Sequence, residues 1–355
     1  MRTPNIFLSG LGVFLPDTVS IESAIKKDRY SASDVELHGW TGLAVAGDIP
    51  APEMALRASR TALERCGLDP GAIGLLLYAD CWHQGPDGWV PQSYLQHYLL
   101  GGDLLAVEVR NACNGALSAL ELASSCLSAD SGRQAALIVA SDNFGTPLVD
   151  RWNPGPGFLT GDAAAAMVIT TEPGFAQVLS AHSATIAEAE EFHRCGEPMF
   201  PPSVTMGQAV DFTTRAEAFR KQQFVEGTGY ELIAKLQQKP NECIQKTLSE
   251  ADIDLEDVAR VVITHTSREE AELQFMGVLR LPLSRSTWQY GSTVGHLAAA
   301  DHIVSLDHLV STGQVGPGDH VLMIGAAPGV TYSCAVIKIL SAPPWASTEQ
   351  RGSDD

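Results

Sequence analysis

One stretch decides how this chain of 355 residues is interpreted: Val107-Glu108-Val109-Arg110-Asn111-Ala112-Cys113-Asn114-Gly115-Ala116. Upstream, residues 104–109 form an apolar run with β-branched side chains, which predicts a strand. Downstream, apolar residues recur at helical spacing over residues 116–127, which predicts a helix. Cys113 is therefore expected where a strand turns into a helix, and Gly115 lets neighbouring backbone pass close by.

A helix start suits a reactive thiol. Unpaired backbone N–H groups and the positive end of the helix dipole stabilise a thiolate there. The same N–H groups would hold the oxyanion of a thioester under attack. A free cysteine is also commonly a buried and inert core residue. The local context of Cys113 alone therefore leaves a catalytic and a structural role open.

The composition predicts an ordinary soluble protein, with 45% hydrophobic and 18% charged residues. A chain of this length buries a large core as one α/β unit or as two domains. Its apolar runs are too short for a membrane span.

Residues 1–5 lead directly into a strand-like run without a signal-peptide pattern, so we expect a cytoplasmic protein. The seven cysteines form no CxxC pair, so we expect neither a metal site nor disulfides. The net charge of −19 argues against nucleic acid or an anionic membrane as partner.

Strand-like and helix-like segments alternate along the chain. Residues 51–66 predict a helix that ends at Gly67, and residues 75–78 then predict a short buried strand. This alternation favours an α/β fold with helices covering mainly parallel strands.

Segments of the chain also match each other at a constant offset of 185 residues. The matched pairs are residues 63–69 with 248–254, 76–78 with 261–263, and 136–140 with 321–325. Three matches at one offset predict a duplicated half packed about a pseudo-twofold axis. The same offset relates Asn111 to His296 and Cys113 to Ala298, so the turns at Cys113 and His296 are predicted to meet at a shared site.

Three neighbouring segments resemble the nucleophile region of ketoacyl-ACP synthase III-type enzymes of the thiolase-like superfamily. They are residues 112–115, the Ala/Leu-rich helix after them, and residues 136–142. The resemblance runs from about Phe7 to Ile339. It implies an α/β, thiolase-like αβαβα layered fold made of two similar halves, and a homodimer. It also implies that Cys113 is the nucleophile.

The join between the halves is expected near residues 171–174. We therefore predict an N-terminal half, 1–173, that carries the nucleophile, a C-terminal half, 174–345, that carries the histidines, and a disordered tail, 346–355. Residues 160–166 resemble the family's Gly-Asp-Gly-Ala segment, which gives Asp162 a structural role. The irregular region 183–231 would line the substrate tunnel.

His265 lies at the end of a predicted strand, residues 261–264. The segment resembles the family's His-Gln-Ala-Asn motif with only the histidine retained, which implies an active-site position. A lone histidine at a strand end is otherwise more often structural. Both roles stay open for His265 on the sequence.

His296 stands where the synthase III pattern, Gly-Asn-Thr-Ser-Ala-Ala-Ser, has asparagine. The Gly295-His296 pair is closer to thiolases and to the type I/II synthases. A histidine donates a hydrogen bond as asparagine does, but it also removes protons. If His296 precedes the next helix, Asp301 can reach its ring and fix its tautomer, as in a catalytic triad. Cys113, His296 and Asp301 then resemble the Cys-His-Asp set of a variant branch of synthase III-like acyltransferases from natural-product pathways. Alternatively, Asp301 is a solvated helix residue, and His302, Asp307 and His308 are interpreted as surface charges of the same helix rather than a metal site.

The expected donor is a thioester of coenzyme A or of an acyl carrier protein, and the resemblance implies no permanently bound cofactor. Both donors are acidic, so they require a local basic patch that the net charge conceals. The arginines that the family usually carries around Trp40-Thr41-Gly42 are missing, which leaves the binding residues for the donor unknown.

We predict an acyltransferase that moves an acyl group through acyl-Cys113 to a hydroxyl or amine of a secondary metabolite, with His296 as base and Asp301 as its partner. The alternative is a decarboxylating ketoacyl synthase III-type enzyme that starts polyketide or fatty-acid chains with Cys113 and His265. A third possibility is a non-catalytic subunit of a synthase complex.

Overall fold

The computed structural model of the chain describes residues 1–130, 132–145, 149–155, 157–202, 204–205 and 208–346. The predicted tail lies outside these residues except for Ala346. The strands are β1 (Arg2–Phe14), β2 (Thr18–Ser20), β3 (Gly42–Ala44), β4 (Leu75–Ala79), β5 (Leu105–Val109), β6 (Ala135–Asp142), β7 (Ala163–Thr170), β8 (Ala176–Thr185), β9 (Val258–Ile263), β10 (His320–Ala327) and β11 (Thr331–Ile339).

Most α-helices follow or precede these strands. They are α1 (Ile21–Ile25), α2 (Asp34–His38), α3 (Ala51–Cys66), α4 (Pro91–Leu95), α5 (Gly115–Ala129), α6 (Phe212–Glu226), α7 (Gly229–Ala251), α8 (Arg268–Glu270), α9 (Gly277–Leu279), α10 (Trp288–Gly291) and α11 (Asp301–Ser311). Two short 3₁₀ helices, Ala112–Asn114 and Ala298–Ala300, precede α5 and α11. Within the described ranges, no helix combines the length and the apolar content needed to cross a bilayer.

The sheet repeats one connectivity. In the described residues its strand order is β5-β4-β6-β7-β1-β8-β11-β10-β9, so β1, β7, β6 and β4 correspond to β8, β11, β10 and β9. In the first half Leu76 is paired with Leu137, and in the second Val261 is paired with Leu322. Each pair member lies 185 residues from its counterpart, as the sequence offset predicted.

The strands are sandwiched between helices because successive side chains point to opposite faces. In β4, Leu75 and Leu77 pack into a central apolar cluster that also contains residues of α5, α11 and the second half's strands. Leu76 and Tyr78 pack on the opposite face, against α3. On the outer face of the second half, Leu322 packs with residues of α7. The layers therefore run α3, strands, α5 with α11, strands, α7, which confirms the αβαβα prediction.

The expectation of mainly parallel strands was wrong. β4 runs parallel to β5 and β6, and β9 runs parallel to β10, but the pairs β6–β7, β7–β1, β1–β8, β8–β11 and β11–β10 are antiparallel. No helix lies within the described residues between β6 and β7 or between β10 and β11. Strands joined without a crossover helix return antiparallel.

Small side chains let the two halves meet at the centre of the molecule. A Cβ atom added to Gly115, the first residue of α5, would lie 3.0 Å from Ala79 Cβ and 3.3 Å from Ala299 Cβ. The 3₁₀ helix Ala298–Ala300 therefore packs directly against the start of α5. This contact brings the turns that carry Cys113 and His296 together, as the offset predicted.

Candidate active site

Cys113 lies on a tight turn between β5 and α5. Ala112 adopts a left-handed backbone conformation with φ of 44°, which is uncommon for a residue with a side chain. The 3₁₀ helix Ala112–Asn114 then leads into α5 at Gly115. Left-handed non-glycine residues cluster at functional sites, where the surrounding structure holds them. The turn leaves the Cys113 side chain partly exposed at the start of a 15-residue helix.

Three of the four predicted site residues form one hydrogen-bonded chain. The distance from Cys113 Sγ to His296 Nε2 is 2.9 Å. His296 Nδ1 lies 2.6 Å from Asp301 Oδ2, and the Asp301 side chain is fully buried. The other carboxylate oxygen of Asp301 accepts a hydrogen bond from the Leu297 backbone N–H at 2.7 Å. The arrangement can move a proton between the thiol and the imidazole while the carboxylate fixes the ring.

The five-residue separation of His296 and Asp301 works because they do not share an α-helix. His296 comes before the 3₁₀ helix Ala298–Ala300, and α11 begins at Asp301. Backbone pairing fixes His296 itself: its N–H donates to Leu159 O at 2.8 Å and its carbonyl accepts from Gly161 N at 2.9 Å. Asp301 can therefore reach back to the ring, and the interpretation of Asp301 as a solvated residue was wrong.

A phenylalanine that sequence reasoning missed packs on the same ring. The Phe158 and His296 rings meet edge to face, with centroids 5.4 Å apart and an interplanar angle of 63°. Phe158 thus restricts how the imidazole can rotate and covers one side of it. Phe158 directly precedes Leu159, which pairs with the His296 backbone. This contact forms only in the folded chain, and no sequence motif predicts it.

His265 lies behind Asp301 rather than beside the thiol. Its Nδ1 is 2.9 Å from Gly295 O, and its Nε2 is 2.7 Å from Ser305 Oγ. The His265 backbone N–H donates to Asp301 Oδ2 at 2.9 Å, and the residue is 1% exposed. The structure therefore does not bring the His265 ring together with Cys113. It connects His265 with the carboxylate that holds His296.

The charges of Cys113, His296 and Asp301 stabilise a thiolate–imidazolium pair. The neighbouring Cys81 thiol and the charge of His296 outweigh burial and lower the pKa of Cys113 to about 5. Burial lowers the pKa of His296, but the neighbouring charges of Cys113 and Asp301 outweigh it and raise that pKa well above its usual value. Burial also acts to raise the pKa of Asp301, yet the charges of His265 and His296 lower it overall. All three shifts favour the charged forms.

Cys81 is the second thiol of the site, and the sequence analysis did not assign it. Its backbone N–H donates to Asp142 Oδ1 at 2.8 Å, and its thiol acts on the pKa of Cys113. Cys81 follows β4 as Cys113 follows β5, and the two strands pair in parallel with Ala79 opposite Val109. Because the carboxyl ends of parallel strands meet at one edge, this pairing is the signal that would have found the contact.

An acidic cluster lies beside the nucleophile turn. Ligand atoms of Asp80, His83 and Glu108 lie within 4.8 Å of one another, a spacing compatible with a metal ion. Arg110 already supplies positive charge there, with its guanidinium 2.9 Å from Glu108 and 3.5 Å from Asp80. Burial and the nearby Asp142 raise the pKa of Asp80 to about 8. The absence of a bound metal stays a prediction.

The remaining predicted residues have structural surroundings. Asp162 is fully buried and accepts backbone hydrogen bonds from Ala46 at 2.8 Å and Phe144 at 2.7 Å, which fits its predicted structural role. The interpretation of the later α11 residues as surface charges was wrong for His302, which is fully buried with its Nε2 3.1 Å from Ile324 O. Asp307 is also withdrawn from the surface, since it pairs with an arginine side chain at 2.6 Å.

An open cavity of about 520 Å³ includes Arg29, Phe144, Val149, Arg151 and Trp152 in its lining. Two of these residues, Phe144 and Val149, also pack with Ala298, which lies two residues beyond His296 in the chain.

Sequence comparisons place the chain in a known family. The model described as 3-Oxoacyl-[acyl-carrier-protein (ACP)] synthase III matches residues 107–186. The model of the C-terminal part of the same synthase matches residues 248–339. The beta-ketoacyl-[acyl-carrier-protein] synthase III of Clostridium perfringens (strain SM101 / Type A) is 22% identical over 344 residues, which cover 94% of this chain and 99% of that protein.

Structural comparisons agree. The acyltransferase ChlB3 superposes with a TM-score of 0.91 and is 52% identical, covering 97% of this chain and 100% of its own. The 3-oxoacyl-[acyl-carrier-protein] synthase III of Aquifex aeolicus VF5 has a TM-score of 0.75 at 20% identity, covering 94% of this chain and 99% of its own, and shows the shared fold. The chain is therefore a ketoacyl-ACP synthase III-like enzyme of the thiolase superfamily.

Proposed function

We propose that this enzyme is an acyltransferase that transfers an acyl group from a coenzyme A or carrier-protein thioester, through acyl-Cys113, to a hydroxyl or amine of a secondary metabolite. The observation that carries the proposal is the hydrogen-bonded chain from Cys113 through His296 to Asp301. The 52% identity with ChlB3, which is named an acyltransferase, supports the same class of reaction.

The first half-reaction begins from the thiolate of Cys113. The thiolate attacks the thioester carbonyl, and backbone N–H groups at the start of α5 hold the resulting oxyanion. The tetrahedral intermediate expels the donor thiolate, which receives the proton of the His296 imidazolium. Acyl-Cys113 and a neutral imidazole remain, so the proton and the leaving group are both accounted for.

The second half-reaction uses the imidazole that acylation has freed. The thiolate of Cys113 is one of the charges that raise the pKa of His296, and acylation removes that charge. The pKa of His296 falls, so the ring becomes a base that takes the proton of the acceptor as it attacks the acyl carbonyl. Collapse of the second intermediate returns the thiolate of Cys113 beside a protonated His296.

The alternative, decarboxylating condensation, is supported less well by the site geometry. Loss of carbon dioxide from a malonyl thioester forms an enolate whose oxygen needs well-placed hydrogen-bond donors. The ring nitrogens of His265 are already occupied by Gly295 O and Ser305 Oγ, which leaves His296 as the histidine that contacts Cys113.

We expect acyl transfer without carbon dioxide release. Enzyme preloaded with an acyl thioester should transfer the acyl group to hydroxylated or amino acceptors, and malonyl thioester should be neither decarboxylated nor extended, because His265 is not available to the enolate. Carbon dioxide release and product mass are followed together. Stoichiometric release with a new carbon–carbon bond would overturn the proposal in favour of the condensing enzyme.

The reactivity of Cys113 should extend to acidic pH. A pKa of about 5, against the usual value near 9, keeps the thiol ionised at pH 6, and reactivity should fall only as the pH drops through about 5. In His296→Ala the stabilising imidazolium is lost, so the pKa rises and the alkylation rate at pH 6 should fall by at least about tenfold. Iodoacetamide labelling with peptide mapping measures this rate. Equal pH profiles for wild type and His296→Ala would contradict the ion pair.

We also propose a homodimer formed at the edge strand β5. β5 ends the strand order of the described sheet, and its Leu105 and Val107 side chains are 48% and 37% exposed. Unpaired edge strands with apolar side chains favour pairing with another strand. Light scattering is expected to give the mass of two chains, and a monomer at micromolar concentration would contradict this proposal.

A further inference from the structure

Glu270 is a partly buried carboxylate that the mechanism above does not use. It ends the short helix α8, and its backbone N–H donates to Ser267 Oγ at 3.3 Å. The Thr266 hydroxyl donates to Glu270 Oε2. Burial raises the pKa of Glu270 above its usual value. Such a desolvated acid is costly to keep, so its position requires a reason.

The Glu270 carboxylate lies near the segment that carries Phe158. A Cβ atom added to Gly157 would lie 3.8 Å from Glu270 Cδ and 2.9 Å from Ser267 Oγ. Gly157 directly precedes Phe158, whose ring packs on the His296 imidazole. Glu270 is also close enough to His296 for their charges to interact.

One oxygen of Glu270 is left without a protein partner. Across the part of the chain that the structure describes, Thr266 is the hydrogen-bond partner of Oε2, and none is found for Oε1. No lysine or arginine of the described residues forms a salt bridge with Glu270, although Arg268 pairs with Glu272 at 3.0 Å. Oε1 is also not among the fully buried unpaired atoms. It can therefore accept a hydrogen bond from a molecule that reaches the site.

We propose that Glu270 binds the acceptor, accepting a hydrogen bond from a hydroxyl or ammonium group that neighbours the attacking one. This inference rests on the proposed acyl transfer and narrows its acceptor class. The acceptor carries two adjacent polar donors, as in a vicinal diol or an amino alcohol: His296 deprotonates one, and Glu270 holds the other. A carboxylate that accepts such a bond positions the substrate without taking part in the proton transfer.

The test separates acceptor binding from acylation. Acyl-Cys113 is formed with acetyl-CoA, and its decay is followed by intact mass in trans-1,2-cyclohexanediol and in cyclohexanol at equal concentrations. Wild type is expected to prefer the diol by about tenfold or more, the usual effect of a hydrogen bond to a charged group. Glu270→Met should lose this preference, which is a ratio of two decay rates of the same acyl-enzyme. Glu270→Gln, which keeps a carbonyl acceptor, should retain part of it, and the exposed neighbour gives the matched control Glu269→Met.

The outcomes are distinguishable. If neither coenzyme A nor carrier-protein thioesters acylate Cys113 in wild type, the proposed function fails and this inference fails with it. If Cys113 is acylated but wild type shows no diol preference, or Glu270→Met keeps it, the inference alone is overturned. A slower acylation in Glu270→Met with an unchanged diol preference would assign Glu270 to the donor and would also overturn it.

Discussion

Cys113→Ala is expected to reduce acyl transfer by roughly 10⁴- to 10⁶-fold, the range found when the nucleophile of a covalent enzyme is removed. The thiolate of Cys113 is the group in the site with both a lowered pKa and a base in contact with it. Without it no acyl-enzyme forms, and the acceptor would have to attack the donor thioester directly. Intact-mass spectrometry after mixing with donor, in the absence of acceptor, shows whether the acyl mass is gained.

Cys81→Ala is the matched control for this experiment. The Cys81 thiol helps to lower the pKa of Cys113, so its removal should raise that pKa and slow acylation at low pH, but the adduct should still form. An adduct that survives in Cys113→Ala and maps to Cys81 would show that the second thiol is the nucleophile. Protein that fails to fold would be recognised by circular dichroism.

Asp301→Asn should slow acyl transfer by roughly 10²- to 10⁴-fold, the range of a general-base contribution. An amide no longer stabilises the imidazolium, and it can present its NH₂ group to His296 Nδ1, which favours the wrong tautomer. His296→Ala should cost more in transfer from acyl-Cys113 to the acceptor than in formation of acyl-Cys113, because the base is needed when the acceptor attacks. Single-turnover rates for the two half-reactions measure this difference.

Asp307→Asn is the control on the same helix, because Asp307 pairs with Arg65 and lies six residues beyond Asp301. It should lose little activity. Asp301 also accepts backbone hydrogen bonds from Leu297 and His265, so the fold of Asp301→Asn is checked by its thermal unfolding. If His296→Ala and Asp301→Asn turn over at near wild-type rates while His265→Ala is inactive, the base is His265. The proposed roles of His296 and Asp301 would then be wrong.

The sequence by itself determined the features that depend on neighbours along the chain. The period of apolar residues changes from strand to helix at Cys113, and the helix predicted over 51–66 ends where Gly67 takes a left-handed conformation. The offset of 185 residues predicted which turns are counterparts, because a duplicated half keeps its spacing. It led to His296, and the spacing to the next helix then suggested Asp301 as the partner of that ring.

Only the tertiary structure decided the direction in which each ring points and what approaches it from distant segments. His265 and His296 both contact Asp301, yet His296 alone of the two is in hydrogen-bond contact with the thiol. Cys81 acts on the Cys113 thiol and Glu270 lies near His296, each from another turn, and which turns become neighbours was settled by strand pairing and packing. Side-chain orientation is set by burial and by hydrogen bonds between segments far apart in the chain, and these exist only once the two halves have packed.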